Sequence, residues 1–184
     1  MKIVAIVGSP RHGGSTDTLV DHIIAGAQNA GATVTKYFLH DMNIRPCQGC
    51  NGCRPEVEKP CVIQDDMQLI HRDLRDCDAV ILGTPIYAFA PSAQLTIFLN
   101  RGYALGGDGP RKSVRTALAL AYGNPDPLAS GAINAYRIIR ECTNWSGGVF
   151  VGLVHTSSGK LADDQTRPQI LSQAEALGRS LASP

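Results

Sequence analysis

Five short apolar runs, each giving way to a stretch of different periodicity, constrain this chain more than any other feature. Residues 3–7 form the first, a largely β-branched run cut off by Gly8-Ser9-Pro10. A run apolar at every position is a strand buried on both faces. From Ser15 the period changes: Leu19, Val20, Ile23, Ile24 and Ala27 mark one face of a helix, and Gly31 stands where a C-terminal cap belongs. Residues 34–39, 79–82, 115–121 and 149–154 are the second to fifth strands. The spacing predicts a helix capped at Asp65 or Asp66 and carrying Met67, Leu69, Ile70 and Leu74, and another from Ser92 to about Asn100. Further helices are expected from about Ser130 to Cys142 and from about Asp164 to Leu181. Strands alternating with helices make an α/β fold, a parallel sheet with helices on both faces. Such sheets bind ligands at the carboxyl ends of their strands, where strand order reverses. The loops at 8–16, 83–91 and 122–127 are therefore where a site belongs.

The length of 184 residues points to one domain, and there is no internal repeat or low-complexity tract. With 17 basic and 16 acidic residues the net charge is +1, without the basic excess of a nucleic-acid-binding domain. No apolar run nears the ~18 residues of a membrane span. The apolar run at 3–7 is shorter than a signal-peptide core of ~7–15 residues. The expectation is a cytoplasmic protein that binds neither membrane nor nucleic acid. Six cysteines in a reducing compartment are then not a disulfide framework.

Three constellations carry chemistry. The first runs Gly8-Ser9-Pro10-Arg11-His12-Gly13-Gly14-Ser15-Thr16 between the first strand and helix. Glycines let the backbone bend around an anion, the helix start offers unpaired N–H groups, and Arg11 adds a charged fork. Gly14 occupies the place of the Walker A lysine, and the dinucleotide pattern G-x-G-x-x-G is absent. The loop suits a phosphomonoester held without a metal, not ATP hydrolysis. The second, Pro85-Ile86-Tyr87-Ala88-Phe89-Ala90-Pro91, is a stiff apolar wall at the end of the third strand, where a flat heteroaromatic ring could lie. The third is Cys47-x-x-Cys50-x-x-Cys53, followed by Cys61. Successive C-x-x-C spacing lets thiolates converge on a 4Fe–4S cluster; zinc and reduced thiols without metal are the alternatives. Cys77 and Cys142 read as packing residues. His22 and His71 fall on presumed helix surfaces, His12 on an exposed loop, and His40 and His155 near strand ends. Nothing pairs as a hydrolytic nucleophile and base.

On these residues the chain resembles the NADPH-dependent FMN reductases of the flavodoxin-like superfamily, and within them the iron–sulfur flavoproteins. The likeness rests on residues 8–16, the cysteine loop running into Asp65-Asp66-Met67, residues 83–89, and the helix ending at Arg101. It implies a doubly wound five-stranded parallel sheet of order 2-1-3-4-5. Residues 1–184 would be one FMN-binding domain with a cysteine-rich loop at about 41–63. By position, Ser9, Arg11, Gly14, Ser15 and Thr16 would hold the FMN phosphate. Pro85, Ile86, Tyr87, Ala88 and Phe89 would border the isoalloxazine, with Ala121, Tyr122 and Gly123 closing over it. Cys47, Cys50, Cys53 and Cys61 would be the cluster ligands. A homodimer or homotetramer is implied as well. The family usually has a lysine at position 96 and an aspartate at 100; here these are Thr96 and Asn100, with Arg101 kept.

The function so implied is an FMN-dependent oxidoreductase, passing electrons from NAD(P)H to a flavin, quinone or similar small acceptor. The flavin does the chemistry, so no side chain is assigned as catalytic acid or base. The alternative is an electron-transfer protein linking ferredoxin to an acceptor through the cluster and FMN. A simple flavodoxin shuttle fits poorly, because its docking surface is acidic and this chain is not.

Overall fold

A computed structural model describes residues 1–53, 61–106 and 113–183. Residues 54–60 of the cysteine-rich loop lie outside the described residues. The elements are β1 (Lys2–Val7), α1 (Ser15–Asn29), β2 (Thr33–Phe38), α2 (Met67–Asp76), β3 (Ala79–Tyr87), β4 (Ala90–Pro91) and α3 (Ala93–Arg101). They continue with β5 (Arg115–Tyr122), α4 (Ala132–Trp145), β6 (Val149–Ser157), α5 (Ser158–Ala162) and α6 (Arg167–Ala182). The sheet runs β2-β1-β3-β5-β6, all parallel, with the two-residue β4 added antiparallel to β3. Without β4, these are five parallel strands in the flavodoxin-like order 2-1-3-4-5.

Alternation along the strands builds two cores. Ile3, Ala5 and Val7 of β1 point to one face with Ile81, Ala117 and Ala119, under Leu19, Val20 and Ile23 of α1 and Ala174 and Leu181 of α6. Val4 and Ile6 point to the other with Leu82, Leu118 and Leu120, under Met67, Ile70, Leu95, Phe98, Ala135 and Ile139 of α2, α3 and α4. Successive strand side chains face opposite ways, so a strand covered on both sides must be apolar throughout.

Several boundaries moved. The fifth strand extends to Ser157, the closing helix is α6, and a short unexpected helix, α5, precedes it. β3 continues through Pro85 to Tyr87 although proline ordinarily ends a strand. The Gly83 carbonyl accepts Gly8 N–H on the β1 side, and Pro85, two residues on, faces the same way. β1 has ended at the register pair Val7↔Gly83, so the missing N–H of Pro85 deprives no strand of a donor. The gap that opens there is the crevice where strand order reverses.

α1 and α6 approach until their backbones touch. A Cβ on Gly26 would lie 2.0 Å from Glu175 O, and one on Gly178 would lie 2.0 Å from Ile23 O. Each glycine admits the other helix, and His22 Nδ1 adds a 2.9 Å hydrogen bond to Glu175 Oε1. Gly178→Ala should push the helices apart and lower unfolding free energy by about 2 kcal/mol or more. Gly159→Ala, whose added Cβ meets nothing within 4 Å, should be neutral or mildly stabilising in the same denaturant titration.

Candidate functional site

The loop between β1 and α1 is held open by its own short contacts. Gly8 passes so near α3 that a Cβ would lie 2.8 Å from Ser92 Oγ and 2.9 Å from Leu95 Cβ. Ser9 is buried, and its hydroxyl accepts Arg11 N–H at 3.1 Å. Gly13 takes a positive φ of 66° and donates its N–H to Asp17 Oδ2 at 2.8 Å. The N-cap of α1 is Gly14, which makes no side-chain cap bond. The first helical N–H groups are thus left without the usual side-chain acceptor, at the positive end of the helix dipole. Arg11 is exposed, Ser15 is half-buried and Thr16 is buried.

The second stretch is a hairpin with an unusual tip. Ile86 pairs with Pro91 and Tyr87 with Ala90, leaving Ala88 and Phe89 as the turn, at φ 47° and 63°. Two positive φ values define a turn that glycine and asparagine favour. An alanine and a phenylalanine there cost of order 1–2 kcal/mol each. Neighbours enforce the geometry. Thr84 Oγ1 accepts Ser92 N–H at 3.0 Å, and Ser92 Oγ accepts Leu95 N–H at 3.2 Å to cap α3. Asn134 Nδ2 donates to Phe89 O at 3.0 Å, and Gly131 at the start of α4 lies so close that a Cβ would sit 2.6 Å from Phe89 Cα. Pro85 and Ile86 are buried, whereas Tyr87, Ala88 and Phe89 are exposed.

After β5, Ala121 and Tyr122 are buried and Gly123 is exposed. Tyr122 Oη lies 2.6 Å from His155 Nδ1 on β6. Burial holds His155 below the ordinary imidazole value, with Lys160 adding to the effect. The three predicted stretches thus follow β1, β3 and β5, which are neighbours in the sheet.

The cysteine loop is anchored at its base and open at its tip. Cys47 and Cys50 are exposed, Cys53 is half-buried and Cys61 is buried. Gly49 N–H donates to Cys47 Sγ at 3.5 Å. Burial pushes the Cys53 thiol up, helped by the charges of Cys61, Cys47 and Cys50. Among the described residues, however, no three His, Cys, Asp or Glu side chains converge as a metal-binding group. As placed, the thiols do not form a ligand set for a cluster or a zinc ion. Cys77 is buried as expected, but Cys142 is exposed rather than packed.

The sequence pattern of the family described as NADPH-dependent FMN reductase matches residues 1–168. The chain belongs to that family. FMN is accordingly its cofactor, NAD(P)H its electron donor, and the protein is an oxidoreductase. An iron–sulfur flavoprotein of Archaeoglobus fulgidus is 30% identical over 99% of this chain and 79% of its own. A Bacillus subtilis protein named as an NAD(P)H-dependent FMN-containing oxidoreductase is 30% identical over 96% of both chains. Two iron–sulfur flavoproteins, of Methanocaldococcus jannaschii and Methanosarcina thermophila, match over 105 residues, 53% and 54% of their lengths. Among solved structures, an NAD(P)H:quinone oxidoreductase from Methanothermobacter marburgensis shares the fold, with TM-score 0.80 over 100% of this chain and 97% of its own at 18% identity.

In this FMN reductase relative Arg101 has a role that its sequence neighbours do not reveal. Its side chain is fully buried, as is that of Asp65. Nη1 donates to Asp65 Oδ2 at 2.6 Å and Nη2 to Oδ1 at 3.0 Å, a bidentate pair. Nη1 also donates to Arg45 O at 2.8 Å. Asp65 further accepts Arg45 N–H at 2.9 Å and Met67 N–H at 3.1 Å. Burial raises the Asp65 carboxyl, but the Arg101 hydrogen bonds and the backbone donors outweigh it and hold the acid below its ordinary value. Both ends of the cysteine loop are thereby tied to the end of α3. Asp66, in the N-cap position of α2, instead accepts Asn43 N–H at 2.7 Å. His71 is the other departure: it is fully buried, not on a surface, and Nε2 lies 3.0 Å from Arg101 O.

Arg101→Met strands a buried carboxylate and should cost about 3–5 kcal/mol in denaturant unfolding. A pH effect follows from His71, whose burial holds it below the ordinary imidazole value. The unfolded chain takes up the His71 proton near pH ~6.5, while the folded chain takes it up only at lower pH. Stability should therefore fall as pH drops from about 7 to about 5. In thermal unfolding, His71→Gln should show a smaller loss across that interval than wild type.

Proposed function

We propose that the chain passes electrons from NAD(P)H to a flavin, quinone or similar small acceptor, with FMN seated at the carboxyl ends of β1, β3 and β5. The observation that carries this reading is the uncapped start of α1, bordered by glycines at the point where strand order reverses and beside an exposed aromatic hairpin. Anions bind where helix N–H groups lack partners, and ligands enter open α/β sheets at this edge. Held there by these residues, FMN would supply the hydride-accepting and electron-passing chemistry.

The residues divide the work. Ser15 and Thr16, with the N–H groups of the first turn, receive the phosphate, and Arg11 adds a full charge from the exposed side of the loop. Ser9 shapes the loop by accepting Arg11 N–H, and Gly14 leaves room by carrying no side chain. Pro85, Ile86, Tyr87, Ala88 and Phe89 line the isoalloxazine, offering aromatic surface and backbone groups at a tip held rigid by Asn134 and Ser92. Ala121, Tyr122 and Gly123 close the opposite side. No side chain is assigned as acid or base. Residues 1–184 act as one FMN-binding domain, and the exposed Tyr87 and Phe89 suit a homodimer or homotetramer in which a second copy covers the flavin.

A second reading, electron transfer between ferredoxin and an acceptor through a 4Fe–4S cluster on Cys47, Cys50, Cys53 and Cys61, draws support from the cysteine spacing and from the iron–sulfur flavoproteins among the relatives. It requires the thiols to move from where they lie. Anaerobic purification followed by a visible spectrum, with iron and acid-labile sulfide measured against flavin, separates the two. Flavin without iron, bleached by NAD(P)H, supports the reductase; about four irons per flavin with no NAD(P)H oxidation supports the carrier. Arg11→Ala should weaken FMN binding about tenfold or more, since a charged hydrogen bond contributes ~1.5–3 kcal/mol. Wild-type affinity in that variant, read by fluorescence quenching, would reject the phosphate assignment.

A further inference from the structure

The loop proposed to hold phosphate has a carboxylate directly behind it. Asp17, at the third position of α1, is buried and accepts Gly13 N–H at 2.8 Å, which pins the left-handed turn that brings the chain into the helix. A carboxylate in the first turn suits the helix dipole, but it occupies the same positive potential that a bound phosphate would use. A phosphomonoester carries nearly two negative charges at neutral pH. Left alone, the clamp that orders the loop would repel the ligand the loop is shaped for.

Lys36 on β2 answers this charge. Its Nζ lies 2.6 Å from Asp17 Oδ1 and 2.5 Å from Asp21 Oδ1. Lys36 lies two residues from both Val34 and Phe38, which pack with the core on the α1 side, and so shares their face of the strand. Phe38 in turn stacks on His12 of the loop with ring centroids 3.7 Å apart, and His12 Nε2 lies 2.9 Å from Asp41 Oδ2. Burial draws the Lys36 amine down, but its close ion pairs with Asp17 and Asp21 more than reverse this, so it stays charged. Asp21 is mostly exposed and water screens it; Asp17 is the carboxylate that needs a cation.

We propose that Lys36 is a positioning residue for the flavin phosphate, neutralising Asp17 so that the buried carboxylate fixes Gly13 without repelling the ligand. It acts through Asp17 and the loop, with no contact to FMN required of it. The inference rests on the FMN reading above and adds a residue from β2, outside the three stretches assigned to the flavin.

The test compares FMN with riboflavin, which lacks the phosphate, by fluorescence titration of the full chain. Lys36→Met should weaken FMN binding about tenfold, equivalent to ~1.4 kcal/mol, and leave riboflavin binding unchanged. Adding Asp17→Asn should restore FMN affinity, because the amide oxygen still accepts Gly13 N–H and no charge remains to neutralise. Lys36→Arg should behave as wild type. The proposal is overturned if Lys36→Met keeps wild-type FMN affinity, loses riboflavin equally, or is not rescued by Asp17→Asn. A wild-type chain that binds both flavins equally well overturns this proposal and leaves FMN as the cofactor. One that binds neither rejects the FMN site itself.

Discussion

A guanidinium sealed from water, Arg101, holds together the part of this molecule that the sheet does not. Its bidentate contact with Asp65 and its bond to Arg45 O join the two ends of the cysteine loop to the last turn of α3. The pair is not a cheap source of stability, since removing two charges from water costs about as much as their attraction returns. Its value lies in the alternatives it forbids. With Asp65 also accepting the N–H groups of Arg45 and Met67, any shift of the loop base or of α2 leaves a buried charge unsatisfied. The base is also stitched by Gln68, whose amide donates to Cys61 O at 2.9 Å and Ile63 O at 2.7 Å.

Strain at the hairpin has the opposite character. Ala88 and Phe89 sit in a backbone region their side chains disfavour, and they stay there because α4 and the Thr84–Ser92 contacts leave no other path. Strained backbone that persists against its own preference tends to cluster where geometry matters to function. Here it turns two residues of the tip outward beside Tyr87, at the crevice vacated by β1. A relaxed Gly or Asn tip would make the same hairpin at lower cost but without the aromatic surface of Phe89.

The inner strands were legible because β1, β3 and β5 each answer to a single requirement, burial on both faces, that acts residue by residue; the edge strands β2 and β6 are only partly buried. The loop at 8–16 was legible as a loop for a similar local reason: Gly8, Pro10, Gly13 and Gly14 interrupt both the strand and the helix periods. What escaped depends on pairs far apart in the chain. Arg101 looked like the remnant of a family motif, because its partner is 36 residues away. Lys36 meets Asp17 only after β2 has joined the sheet beside β1. His71 lies four residues after Met67 and three before Leu74, so the helical period did place it on the inner face of α2; its polarity argued it outward, and burial won because Arg101 O offered a partner. The Ala88-Phe89 turn carried no signal at all, since turn chemistry predicts Gly or Asn at those positions.

The cysteine loop is anchored by the same contacts that fix the start of α2. Cys61 is buried against the stitched base, near enough to Arg101 for its charge to be felt there. Cys47 and Cys50 lie at the surface beyond that base, with left-handed Gly49 and Asn51 between and beside them. Neither exposed thiol belongs to the Arg101–Asp65 pair, the α2 start or either core. The proposed flavin edge on β1, β3 and β5 rests on other contacts than the cysteine loop, so flavin content and iron content are separate measurements.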